Sequence, residues 1–515
     1  MEHITYRDTR GLDPMPRTFT DTVLAGIAPG GGLYVPEAVP LLSISEILAL
    51  AALPYSGRAA AIYRAFGVDV HPEQVESLMK AAYGPAFDDA RIAPVVEVGA
   101  DMHVLELWHG PTSAFKDMAL QCMPLFFSEA VSMRLGAGEP LDDYLILVAT
   151  SGDTGKAALE GFADREHVRI AVFYPAEGVS DVQRKQMVSQ RGDNVTVFGV
   201  RGNFDDCQNA VKAAFADERF KEHLHAAYGV QLSSANSINW GRLLPQIVYY
   251  ASAYADMVAG GGVRPGDPID VCVPTGNFGN ILAGYYAKRM GVPIERLVCA
   301  SNENNVLSDF ISSGVYDISD RAFTTTPSPS MDILVSSNLE RLLFELTLQP
   351  EAVREWQRSL SEDGRFVVDR DTFASIRRHF ASDWVGNDES LRVIRRVWEE
   401  HAYLLDPHTA VAWEVAERMR AENPMLVVST AHWAKFGADV FRALGGIDYD
   451  SPLPAREASL SGVELLAEVA AIADGASPVP CGLAELDGLA ERFTGCVDAG
   501  AVGVEQAVDG WLAGA

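Results

Sequence analysis

A single lysine stands in a run of small residues, His109-Gly-Pro-Thr-Ser-Ala-Phe-Lys-Asp117, that opens a helical pattern over 118–123. A lysine at a helix N-terminus feels the positive end of the helix dipole, which disfavours its charged form. The resulting amine suits nucleophilic capture of a carbonyl as a Schiff base; taken by itself, Lys116 also reads as a solvated surface lysine. Thr150-Ser-Gly-Asp-Thr-Gly155 lies between an apolar run and a helical one. Its hydroxyls and backbone N–H groups suit an anion such as a carboxylate, and a structural strand-to-helix turn fits the same residues. A Walker-type nucleotide loop is excluded, because Thr150 stands where that loop needs its first glycine and Ala157 where it needs Ser or Thr. Pro274-Thr-Gly-Asn-Phe-Gly-Asn280 again sits between a strand pattern and a helix pattern. Two glycines there let the backbone approach a ligand and two asparagines add neutral donors, which makes either a phosphate cup or a tight turn with an asparagine cap. Thr430 follows the apolar run 425–429, where a hydroxyl can meet a pyridine nitrogen or cap a helix. A carbonyl-trapping lysine together with a phosphate cup describes what pyridoxal phosphate requires of a protein.

Groups of this kind are positioned by strands that end in loops leading to helix N-termini. Short β-branched runs at 144–149, 168–173, 195–198, 269–273 and 297–300 alternate with helical patterns, the rhythm of βαβ units around a mostly parallel sheet. Such sheets bind ligands at the carboxyl ends of their strands. The run at 425–429 adds one more strand, after a helical region that includes 391–401. The start of the chain reads differently, with short helices at 21–28 and 44–53 around the turn Pro29-Gly-Gly-Gly32. From residue 451 onward the net charge is −8, and Ala-rich helical pieces are broken by Pro478 and Pro480. The expected fold is α/β: open, mostly parallel sheets in two subdomains over 96–450, with an N-terminal unit at 1–95 and a helical, acidic C-terminal extension at 451–515.

At 515 residues the chain exceeds what one core usually serves. A hydrophobic share of 48% and a charged share of 22% are those of a folded chain. With 41 basic and 70 acidic residues the net charge of −29 disfavours nucleic acid and anionic membranes as partners. It leaves small anionic metabolites open, since a few cations and helix N-termini build a local positive site. The six cysteines form no C-x-x-C pair and have no ligand-like spacing with the histidines, so no metal site is expected. The first residues show no basic segment followed by an apolar run, and the apolar stretch 247–259 is interrupted by Asp256. The expectation is a cytoplasmic protein.

Taken in order, the four segments resemble the tryptophan-synthase-β-like, fold type II class of pyridoxal-phosphate enzymes. Within it the chain resembles the longer form of the threonine synthase family. The resemblance runs through YRDTRG (6–11), APGGGLYVPE (28–37), HGPTSAFKDMALQ (109–121), ATSGDTGKAA (149–158), SSANSINWGRLLPQ (233–246), PTGNFGNILAGYYAKRMG (274–291), SPSMDILVSSNLER (328–341), LLDPHTAVAW (404–413) and STAHWAKF (429–436). It implies that Lys116 holds the cofactor covalently, that Gly276, Asn277, Phe278, Gly279 and Asn280 enclose its phosphate, and that Thr430 meets its ring nitrogen. Ser151, Gly152, Asp153 and Thr154 would lie against the substrate. That substrate would be O-phospho-L-homoserine, converted with water to L-threonine and phosphate, with Lys116 shuttling protons. Arg184, Lys185 and Arg242 are the candidates for the substrate phosphate, each in or near a family-like segment; a helix salt bridge is the alternative for Arg242. One departure stands out, Trp433 where the family has proline after Ala-His. Rival readings are a serine/threonine dehydratase or cysteine synthase of the same fold, or a binding module that has lost turnover; monomer and homodimer are both open.

Overall fold

The computed structural model describes residues 3–100, 102–139, 142–176 and 178–514. Two sheets face each other across a cleft. The larger has six strands in the order Phe380–Trp384, Ile294–Ser301, Ile269–Pro274, Met425–Ser429, Met102–Glu106 and Val95–Glu97, all neighbours parallel except the last pair. The smaller has five parallel strands, Cys496–Asp498, Val195–Arg201, Val168–Pro175, Asp143–Ala149 and Val230–Ser233. Ile269–Pro274 and Met425–Ser429 are buried at every position. Continuous burial follows when helices cover both faces of a parallel sheet, and it explains why these runs are mostly apolar rather than alternating; the one charged residue, Asp270, is paired with Arg296.

The βα rhythm of 140–300 divides between two sheets, as the expected two subdomains require. The divider is the twenty-residue helix Trp240–Ala259, whose start is capped by the Asn239 side chain accepting from Gly241 N–H. It is apolar nearly all round because it packs against the Gly279–Arg289 helix, the Asp117–Leu120 turn and the N-terminal helices together.

Residues of the N-terminal unit share that core. Tyr6–Asp8 pairs antiparallel with Tyr34–Pro36, and between them Phe19–Ala25 starts with a capping box formed by Thr18 and Asp21. Phe19 packs edge-on against Phe126, and Tyr6 against Trp240. A buried carboxylate secures the turn that follows: Glu340 accepts from Thr9 Oγ1 at 2.6 Å and from Arg10 Nη2 at 2.8 Å.

The C-terminal extension is helical, but it also supplies the edge strand Cys496–Asp498 to the smaller sheet. Val504, Val508 and Leu512 of its last helix pack on Phe204–Ala216. Its Gly462–Ile472 helix packs on Gly437–Gly445 of the other half, where Leu466 closes against Gly437. One segment is therefore anchored on both sides of the cleft. Leu466 is fully buried, so Leu466→Ala is expected to cost about 2–5 kcal/mol. The measurement is the urea midpoint, which falls while the slope of the transition is preserved.

Candidate active site

The carboxyl ends of both sheets open on one cleft of about 1280 Å³, lined by Ala149, Thr150, Pro274, Thr430 and Lys116 and bordered by the turn at Pro29, Gly30 and Gly31. Lys116 lies just after Ser113, which takes a left-handed conformation (φ 60°). The turn is joined to the loop after Met425–Ser429: Phe115 N–H donates to Thr430 O at 2.8 Å, and His432 N–H to Ser113 O at 3.1 Å. Two positions more than 300 residues apart in sequence, the lysine and the threonine, are thereby placed on one wall.

The Lys116 amine is held below its ordinary range chiefly by burial, with Lys435 and Arg242 adding to the effect and Asp153 opposing it. The helix that follows Lys116 has only four residues, so its dipole is a minor influence beside desolvation. Nζ lies 3.2 Å from Ser330 Oγ and 3.4 Å from Asp153 Oδ2.

The 276–280 turn opens the eleven-residue helix Gly279–Arg289. A Cβ on Gly276 would come within 2.7 Å of Ser330 O, so only glycine fits there. Phe278 adopts the left-handed conformation (φ 63°) and turns its ring into the core against Phe380, leaving only its backbone for a ligand. Asn280 Oδ1 accepts from the hydroxyls of Tyr249 and Tyr250, both at 2.6 Å. These bonds fix the amide so that Nδ2 is buried without a partner. A buried donor left unpaired costs free energy until an acceptor arrives, and together with the N–H groups of a helix start it fits the phosphate of pyridoxal phosphate.

The Thr150–Gly155 loop divides. Thr150 Oγ1 accepts from Gly152 N–H at 3.0 Å and Gly155 N–H at 2.8 Å, which shapes the turn, and Ser151 and Thr154 line the cleft. Gly152 and Asp153 do not line it. Gly152 backs onto Gln183, and Asp153 turns toward Lys435 Nζ at 2.8 Å and Gln183 Nε2 at 2.9 Å. Burial by itself would raise the Asp153 carboxyl, but Lys435 and Lys116 hold it well below the usual carboxylate range.

The three basic candidates separate as sharply. Arg184 pairs with Glu491 at 2.7 Å and Lys185 with Asp487, both on the C-terminal extension, and neither lines the cleft. Their position on the Asp181–Val188 helix faces the acidic tail, which sequence position did not disclose. Arg242 does line the cleft, 2% exposed, and forms no ion pair with any described residue. Its Nη1 donates to Ala235 O at 2.6 Å while Nε has no partner. Burial brings it down to about 10, which still leaves it charged at neutral pH. On the same cleft Asn236 carries a buried, unpartnered Oδ1, and Ser237, Ser330 and His408 add further polar groups. These four and Lys435 were within recognisable segments, but only the fold shows where they point.

Trp433 is buried and donates from Nε1 to Ser477 O at 3.0 Å, while Ser477 Oγ meets His432 Nε2 at 3.0 Å. The indole thus fastens the loop bearing Thr430 to the C-terminal extension. Burial lowers His432 to about 3, so it stays neutral. Among the described residues no cluster of His, Cys, Asp and Glu could hold a metal, and no helix is long and apolar enough to cross a membrane.

Family models described as threonine synthase N terminus, pyridoxal-phosphate dependent enzyme, and threonine synthase C-terminal match residues 5–83, 93–430 and 409–508. The chain is 40% identical to the threonine synthase of Pseudomonas aeruginosa, over 88% of this chain and 93% of that one. It is 42% identical to threonine synthase-like 1 of Homo sapiens over 83% of this chain, and spans 58% of that protein's length. The solved structure of a pyridoxal-phosphate-bound threonine synthase from Brucella melitensis superposes with a TM-score of 0.84 at 36% identity, covering 99% of both chains. Fold, site chemistry and kinship agree, and the chain belongs to the threonine synthase family of pyridoxal-phosphate-dependent lyases.

Proposed function

We propose that this enzyme converts O-phospho-L-homoserine and water to L-threonine and phosphate. The observation that supports this most is the presence, in one cleft with Lys116, of two distinct sets of uncompensated donors: Asn280 Nδ2 at the start of its helix, and the buried guanidinium of Arg242. One set matches the phosphate of the cofactor and the other the phosphate of the substrate. A same-fold enzyme acting on an unphosphorylated amino acid would have no use for a second buried cation without a counter-ion.

Pyridoxal phosphate, when bound, supplies a ring that stabilises negative charge on carbons near the substrate amine. In this reading Lys116 would hold it covalently, 276–280 and Asn280 would enclose its phosphate, and Thr430 would meet its ring nitrogen. A Lys116 amine whose charged form burial disfavours can take and return protons at the substrate carbons. Ser330 Oγ keeps that amine oriented. Ser151 and Thr154 present hydroxyls beside a helix N-terminus to the substrate carboxylate. Arg242 would carry the phosphate as a proton leaves Cβ and the Cγ–O bond breaks; a proton then joins Cγ and a hydroxyl from water joins Cβ.

The parent enzyme is expected to show a cofactor absorbance band and to release threonine and phosphate in equal amounts. Lys116→Ala should abolish the band and lower turnover by about 100- to 10,000-fold or more. Phosphate without threonine would refute the reading, and a band with neither product would favour a ligand-binding role. Loss of a charge-assisted hydrogen bond worth about 1.5–3 kcal/mol predicts that Arg242→Ala raises KM for phosphohomoserine by about 10- to 150-fold. Arg184→Ala and Lys185→Ala, which alter pairs with the tail and with Asp181 outside the cleft, should leave that KM unchanged.

A further inference from the structure

Lys435 has no exposed side-chain surface and does not line the cleft. Its Nζ donates to Thr112 O at 2.8 Å and pairs with Asp153 Oδ1 at 2.8 Å. The same Oδ1 accepts from Gln183 Nε2, while Oδ2 faces Lys116 Nζ and Ser330 Oγ, each at 3.4 Å. One buried carboxylate thus stands between two lysines, of which only Lys116 reaches the cleft. Left unpaired, a buried carboxylate at that distance would attract the full positive charge of Lys116, because Coulomb energies grow as the local dielectric falls.

We infer that Lys435 is a positioning residue for Lys116: it neutralises Asp153 from the side away from the cleft, so that the carboxylate orients the amine rather than holding it as an ammonium. Lys435 cannot act on substrate itself, since protein encloses its whole side chain. The inference rests on the reading of Lys116 as the working amine. The groups facing that amine are Asp153 and Ser330 on one side, Arg242 and Lys435 as further cations, and the Phe115 ring with its centroid 4.8 Å away; His408 adds its field at Asp153. Among these, the Asp153–Lys435 pair contributes no net charge while intact.

The test follows from the sign of the charge that each substitution leaves. Lys435→Met leaves one negative charge beside Lys116, so protonation at that nitrogen should move to higher pH. Asp153→Asn leaves one positive charge and should move it to lower pH. The double substitution restores neutrality and should return close to the parent. Each single shift is expected at about 1–3 pH units, the range for a charge within 4–6 Å. The readouts are the pH titration of the holoenzyme's cofactor absorbance band and the acidic limb of kcat/KM. Single substitutions moving in the same direction, or a double substitution that fails to return, would overturn the proposal. If Lys435→Met does not fold, the return from Asp153→Asn to the double substitution decides the question. Absence of threonine formation by the parent would count against the proposed reaction while leaving the absorbance titration able to judge Lys435.

Discussion

The site depends on backbone pairing between two loops that lie far apart in sequence. Met102–Glu106 and Met425–Ser429 are neighbouring parallel strands, with Glu106 level with Ser429. Pairing continues beyond the sheet: Leu107 N–H reaches Ser429 O, Phe115 N–H reaches Thr430 O, and Ala114 bridges Ala431. Since both strands end at the same level, Lys116 and Thr430 emerge on the same wall. A slip of one residue in that register would turn every side chain of the strand to the opposite face and separate them. The 276–280 turn joins the group because Ile269–Pro274 is the next strand in the same sheet.

Within that frame the electrostatics are local. A net charge of −29 is spread over a surface screened within about 8–10 Å at ordinary ionic strength. The buried cations of the cleft are governed by their neighbours instead. Lys435 is matched by Asp153, whereas Arg242 has only neutral partners among the described residues, so the cleft gains positive character from the second and not from the first. Arg184 and Lys185, basic in sequence, are neutralised by the acidic tail and add little inside.

Much of this was legible in the sequence. The strands at 143–149, 168–175, 269–274 and 425–429 are mostly apolar runs, and the residues after them are the small, polar types that a parallel sheet places at a ligand. What could not be read was direction. Within Ser151–Thr154 the two outer residues line the cleft and the two between them do not, and nothing in the order of residues says that Asp153 turns inward to Lys435. The lowered charge of Lys116 was expected from a helix dipole, yet a four-residue helix supplies little of one, and the burial responsible comes from elements distant in sequence. The division of the strands between two sheets, by contrast, was part of the expected fold of two subdomains.

Trp433 shows how a local departure acquires meaning from a distant segment. A proline would stiffen the turn after His432 through its own ring but would offer the tail no donor. The indole instead donates to the backbone and hydroxyl oxygens of Ser477, and Ser477 in turn meets His432. From there the extension continues past Asp487 and Glu491, which pair with the Asp181–Val188 helix, to Cys496–Asp498 at the edge of the smaller sheet. That helix carries Gln183, which bonds Asp153, and Ser180, which bonds Lys435 O. The acidic extension therefore supports the loop of Thr430 and Lys435 and the helix behind Asp153 at the same time. Two of its acidic residues, Asp487 and Glu491, match the two basic residues of that helix.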